Sequence, residues 1–278
     1  MQVMESSKSQ TRPLGGLPPS EPTILARAPL EVAVVEVRFV SDTADIDAAM
    51  AAAIRDALEP ALELALPSIL PASERSLEFD FSSDQPPRFD VKSRGWRLVS
   101  ADEAVQVTIM PTVVILQVTR YQRWSDSVRG PLHSLMTTVL EQVRPTLVQR
   151  IGVRYVNRFS DPSCLTVADW RERIDKSLLG VLENKTFGTL VRGAQQVVEA
   201  DLGDSCGALL RHGPHQVQGS HTVDYMLDTD VFDAQATTFD IGGIIEKAET
   251  LNRTAFSLFK GCLTPAYYRS LLEANDVG

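Results

Sequence analysis

Residues 150–159 read RIGVRYVNRF. In an extended chain, successive side chains alternate between faces. Ile151, Val153, Tyr155, Asn157 and Phe159 then point one way, and Arg150, Gly152, Arg154, Val156 and Arg158 the other. The first face is core material; the second is cationic. The chain of 278 residues has a formal net charge of −9, so such a row calls for carboxylates to meet it.

The segment HTVDYMLDTDVF, residues 221–232, offers them. Val223, Tyr225, Leu227 and Val231 share one face, and Asp224, Met226, Asp228 and Asp230 the other. A third strand, PLEVAVVEVRFV at residues 29–40, sets Val35, Val37 and Phe39 against Val32, Val34, Glu36 and Arg38. The arginine and aspartate rows are expected to meet, across a strand pair or between the two halves of the chain. Guanidinium and carboxylate match in fork geometry, so the contact would be specific. Desolvation would offset much of the attraction. The candidate binding residues are therefore Arg154, Arg158, Asp228, Asp230, Glu36 and Arg38. In a second reading, Arg154 and Arg158 grip a phosphate or carboxylate ligand. Asp228 and Asp230 alone could hold a divalent cation, but a single D-x-D is a weak signal and no metal or cofactor is expected.

Around these strands the pattern predicts an α+β fold. Its sheets are mainly antiparallel, with helices packed on one side and two halves of similar element order. Residues 1–26, rich in Ser, Pro and Gly, read as a flexible tail. Residues 27–160 form one half: a strand, then a helix capped at Ser41 or Asp42 with Met50, Ile54, Leu58 and Leu62 as its stripe. Pro60 should end or kink that helix, and Pro67 and Pro71 punctuate a connection. A meander follows, in which Leu77, Phe79 and Phe81 face inward. The next helix has Leu132, Leu135, Met136, Val139, Leu140 and Val143 at helical spacing, and the arginine strand closes the half. Residues 161–278 form the other half. Thr166 to Leu182 read as a helix with Trp170, Ile174 and Leu178 at i, i+4. Three strands and a long helix with Leu251, Ala255, Leu258 and Phe259 inward complete it.

Other features point to bland roles. Cys164, Cys206 and Cys262 are few, odd in number and far apart, which suits a reduced cytoplasm and buried thiols rather than disulfides or zinc. His212, His215 and His221 sit among Gly213, Pro214 and Gly219 and read as an exposed loop. Trp96, Tyr121 and Trp124 read as core and edge packing rather than a ligand pocket. Gly242 and Gly243 stand near a helix start, where backbone N–H groups could hold an anion. No G-x-S-x-G, P-loop, G-x-G-x-x-G or H-E-x-x-H occurs. No apolar run reaches the length of a membrane span. The acidic balance argues against a nucleic-acid partner.

At PLEVAVVEVRFV, VTRYQRWSD, RIGVRYVNRF and YMLDTDVF, in that order, the chain resembles a sporadically distributed bacterial family of uncharacterised proteins. Its members share a Pro-Leu-x-Glu-Val strand ending in Arg-Phe, a Tyr-x-x-Trp segment, a central Arg-Ile/Val-Gly-Val/Leu-Arg-Tyr-Ile/Val-Asn-Arg strand and a Leu-Asp-x-Asp strand. The likeness spans about residues 28 to 270 and gives no residue a catalytic role. The expectation is a non-enzymatic interaction or regulatory protein that binds a protein partner or a second copy. The alternative is a binding protein or enzyme for a small anionic molecule held by Arg154 and Arg158.

Overall fold

The computed structural model describes residues 12–78, 88–216 and 219–273. Its frame is a ten-stranded antiparallel sheet. The strands are β1 (Leu30–Val40), β2 (Ser68–Glu78), β3 (Arg88–Val99), β4 (Val105–Met110), β5 (Val113–Val118), β6 (Leu147–Phe159), β7 (Gln196–Gly203), β8 (Cys206–Gln216), β9 (Val223–Asp233) and the short β10 (Thr237–Thr238). They lie in the order β2-β3-β4-β5-β1-β6-β9-β8-β7, with β10 on β6. The expected halves thus share one sheet, which they join edge to edge where β6 meets β9.

The helices α1 (Ala48–Leu62), α2 (Gly130–Gln142), α3 (Ile241–Gly261) and α4 (Pro265–Leu272) complete an α+β fold. The inward side chains of β1, β6 and β9 pack with those of α1, α2 and α3 into one core. That core contains Val35, Val37, Phe39, Val153, Phe159, Tyr225, Leu227 and Val231, all buried as alternation predicts. Burying each such side chain stabilises the fold by about 1.5–3 kcal/mol. On α3, Leu251, Ala255 and Phe259 are buried, whereas Leu258 is half-buried. On α2 the stripe holds except at Leu140, which is 40% exposed.

Several local expectations are corrected. α1 starts later than expected: Asp47 is its N-cap and accepts from the Met50 N–H at 2.8 Å. Ser41 is occupied elsewhere, donating to the Pro111 carbonyl. Pro60 lies inside the final turn, and Glu63 ends the helix in a left-handed conformation. Pro71 belongs to β2, not to a connection; β2 ends the sheet order, and an edge strand tolerates a proline. The inward expectation for Leu77, Phe79 and Phe81 falls outside the described residues and side chains.

No single helix spans Thr166 to Leu182. Short 3₁₀ turns at Val167–Glu172, Lys176–Leu178 and Gly180–Glu183 stand there instead. The backbone of Ile174 forms a bridge to Leu263, and the Asp175 N–H donates to the Cys262 carbonyl. A continuous helix would need those groups for itself. Trp170 and Ile174 are nevertheless buried, so the apolar spacing reports burial while the periodicity misleads.

Part of the segment read as a tail is structured. The Leu14 N–H donates to Thr254 Oγ1 and Ser257 Oγ donates to the Pro18 carbonyl, both across α3. Arg253 pairs with Glu21 at 2.9 Å, and Leu14 and Leu25 pack on the core. Residues 12–26 form a strap. Composition missed it because its anchors, Thr254 and Ser257, lie over two hundred positions downstream.

Candidate functional site

On the face of the sheet turned away from the helices, the arginine and aspartate rows meet. β6 and β9 are antiparallel, with Arg154 registered against Asp230, Val156 against Asp228 and Arg158 against Met226. Arg154 donates through Nε and Nη2 to the two oxygens of Asp228, at 2.7 and 2.8 Å. Arg211 of β8, registered against Asp228, adds a contact at 3.3 Å. Arg158 Nε donates to Asp224 at 2.6 Å, and its Nη1 lies 3.7 Å from Glu31.

The third cluster joins all three strands. Arg38 donates to both oxygens of Glu36. Arg150 donates to Glu36 at 2.8 Å and to Asp230 at 2.9 Å, with its guanidinium 4.9 Å over the Phe232 ring. Gly152 permits this path, because a Cβ there would lie 2.4 Å from Arg150 Nη1. Gly207 gives similar clearance on the other side, where a Cβ would lie 2.7 Å from the Phe232 ring.

All six predicted residues therefore share one face, in three clusters rather than one. Arg150 and Asp224 stood in the predicted rows but were not singled out as candidates. Arg211 and Glu31 were missed, since register with Asp228 and reach to Arg158 are invisible until the strands are aligned. The carboxylates are the buried partners: Asp224 and Asp228 side chains are 5% and 12% exposed, against 37% for Arg158 and 45% for Arg154. Hydrogen bonding by Asp228 raises the Arg154 pKa, and Asp224 does the same for Arg158. Asp230 differs: burial above all, with the nearby Glu36 charge, raises its carboxyl pKa although Arg150 and Arg154 lower it.

Two concavities among the described residues lie apart from this surface. A concavity of about 530 Å³ lies where β6, β9 and β10 meet the start of α3, with walls from Ile151, Asp233, Thr238, Asp240 and Lys247. A shallower one of about 330 Å³ lies beside Arg27, Asp161, Arg173 and Tyr267. Neither takes a wall from the six residues. Within the first, Lys247 Nζ contacts Asp233 at 2.6 Å. The start of α3 is already capped there, as Asp240 accepts from the Gly243 N–H. That carboxylate occupies the position an anion would take at Gly242 and Gly243.

The remaining candidates resolve individually. Asp228 and Asp230 turn their oxygens to guanidinium groups rather than to one another. No cluster of three or more His, Cys, Asp or Glu suited to a metal ion occurs among the described residues. His212 is not in an exposed loop: it is buried in β8, its Nδ1 lies 2.8 Å from the Tyr225 hydroxyl, and its Nε2 has no partner. Gly213 looked like a turn signal, but its φ of 152° accompanies a close approach of the Ala194 carbonyl, where a Cβ could not fit. His215 and His221 are exposed.

The three cysteines are free and buried. Desolvation raises the Cys164 and Cys262 pKa values to about 11 and about 12, which suppresses the nucleophilic thiolate. The aromatic residues serve packing: Trp96 Nε1 donates to the Ile46 carbonyl, Tyr121 sets its edge against Tyr155, and Trp124 packs on the core. No helix among the described residues is long and apolar enough to cross a membrane. No model of a known protein family matches the chain, and no curated protein registers as its relative.

Proposed function

We propose that this is a non-enzymatic interaction protein, a partner-binding or regulatory component of an accessory bacterial system, and that the charge-laced sheet face is its recognition surface. One observation carries the reading. The guanidinium groups of Arg150, Arg154 and Arg158 are each held by carboxylates of the same chain and spread over an open face. An anion-binding enzyme would instead leave such groups unsatisfied and converging on a hollow. A fixed lattice of paired charges presents a rigid pattern of potential, which favours specificity over affinity. The half-buried Val34, Val156, Met226 and Phe232 between the charges add apolar area to the same face. The resemblance to a bacterial family without an assigned activity is compatible with this role.

The test is recovery of the tagged chain from cells that naturally contain it, beside an Arg154→Glu, Asp228→Arg variant. The exchange keeps the internal pair but inverts the surface pattern. A partner, or a second copy, held by the unaltered chain and lost from the folded variant is the expected result. The bare monomer in both cases, or identical partners in both, would refute the proposal.

A further inference from the structure

The two ends of the sheet are built differently. β2 contains Pro71, and its pairing with β3 shifts register between Glu74 and Arg75. A proline and an irregularity are devices that keep an edge strand from recruiting another strand. β7 at the other end has the sequence QVVEADLG, without proline, lysine or arginine. From Gln196 to Asp201 it pairs regularly with β8, and the register shift comes only at its last turn, between Asp201 and Gly203. Among the described residues no strand pairs with its other side. Val197 and Val198 are 59% and 41% exposed, one on each face of the sheet.

We infer that β7 is a docking edge for an extended, basic segment of another protein, which adds to the sheet as a further antiparallel or parallel strand. The unpaired backbone supplies the hydrogen bonds, and side chains at alternate positions supply the selection. Charge selects the occupant. Glu199 and Asp201 stand on one face of β7 and both are exposed; Asp201 accepts from the Gly203 N–H of the turn, a bond that leaves its negative charge in place. A second copy of β7 laid antiparallel would bring its own Glu199 and Asp201 beside these, and like charges across a strand pair repel. A strand with Lys or Arg at alternate positions meets the same row favourably, while its intervening apolar side chains face Val198. This site uses different residues from the charged face of β6 and β9, so either proposal can fail alone.

The probes are three blocked octapeptides that differ in their alternate residues: Thr-Lys-Val-Lys-Val-Lys-Val-Thr, the same peptide with Glu for Lys, and one with Ser for Lys. Affinity is read by fluorescence anisotropy and location by amide hydrogen exchange. The lysine peptide should bind at least tenfold tighter than the glutamate peptide and slow exchange at residues 197–202. Glu199→Lys, Asp201→Lys, which alters two exposed side chains and gives up the Asp201 acceptor of the Gly203 N–H, should reverse the preference. Three results overturn the inference: no slowing at these amides with any peptide, equal affinity for the three, or a dimer of the free chain in which these amides are already slow.

Discussion

Arg154 ignores the aspartate directly opposite it and clasps the one two residues further along β9. Its register partner is Asp230, yet both of its hydrogen bonds run to Asp228. Arg158 leans the same way, past Met226 to Asp224. A long side chain reaches a diagonal neighbour comfortably in an antiparallel pair. The lean also leaves Asp230 free for Arg150, so each acid of the row is used.

Reversing Arg154 to Glu would set it against the poorly exposed Asp228, although Arg211 would remain close. With Arg154 45% exposed, solvent screens the contact, and the expected loss is about 1–2 kcal/mol. Asp228→Arg should cost more, since it deprives both Arg154 and Arg211. The double exchange should recover at least half of the summed loss in a urea melt. A double variant no more stable than the weaker single would show that the clasp contributes nothing specific.

Gly152 and Arg150 should be coupled. A methyl group at residue 152 occupies the space of the Arg150 guanidinium, so Gly152→Ala should expel it from Asp230 and Phe232 and cost about 1 kcal/mol. Once Arg150 is replaced by Ala, the added methyl meets no such obstacle. The double-mutant cycle should therefore show an interaction energy above about 0.5 kcal/mol. Additive losses would place the effect of Gly152 elsewhere.

Stability should fall in mild acid because of His212. Burial lowers its pKa below the ordinary 6.5. As the pH drops through 6.5, the unfolded chain takes up the proton before the folded one does, so the contribution is full above this value and declines towards the lowered pKa. The slope is at most about 1.4 kcal/mol per pH unit. Comparing melts at pH 7.0 and about 5.5, a range chosen above most carboxylate titration, His212→Phe should be the less pH-sensitive protein. It would also forgo the hydrogen bond to Tyr225. Equal sensitivity would mean that other groups govern the acid response.

Removing residues 1–26 should expose Thr254 and Ser257 on α3 and strip Leu14 and Leu25 from the core. The expected loss is about 2–4 kcal/mol from apolar burial and two side-chain hydrogen bonds, seen as a lower midpoint of thermal unfolding. Removing only residues 1–11 keeps the contacts of Leu14, Pro18 and Leu25 in place, so the difference between the two truncations reports what those contacts contribute. If both truncations melt with the full chain, the strap is dispensable.

The strands around the charged face were legible because alternation is a local signal. In β6 and β9 every inward residue named from the sequence is buried, and the opposed charge rows implied their own pairing. What escaped depended on distant partners. The strap needs α3, the 3₁₀ segment is broken by a bridge to Leu263, and His212 is drawn inside by a strand pairing that its Gly-Pro neighbours disguised. The site residues Arg211 and Glu31 escaped for the same reason: only register shows whom they face.

The position of β1 has a consequence for how the chain is made. It lies between β5 and β6, and its register with β6 joins Val35 to Val153. On a ribosome, β1 must wait for more than a hundred further residues before β6 is made. Throughout that interval Val35, Val37 and Phe39 lack their final cover, and the nascent chain is open to wrong pairing or chaperone capture. Slowed translation shortly before residue 147 should therefore lower the yield of folded protein more than the same delay placed once β6 has cleared the exit tunnel.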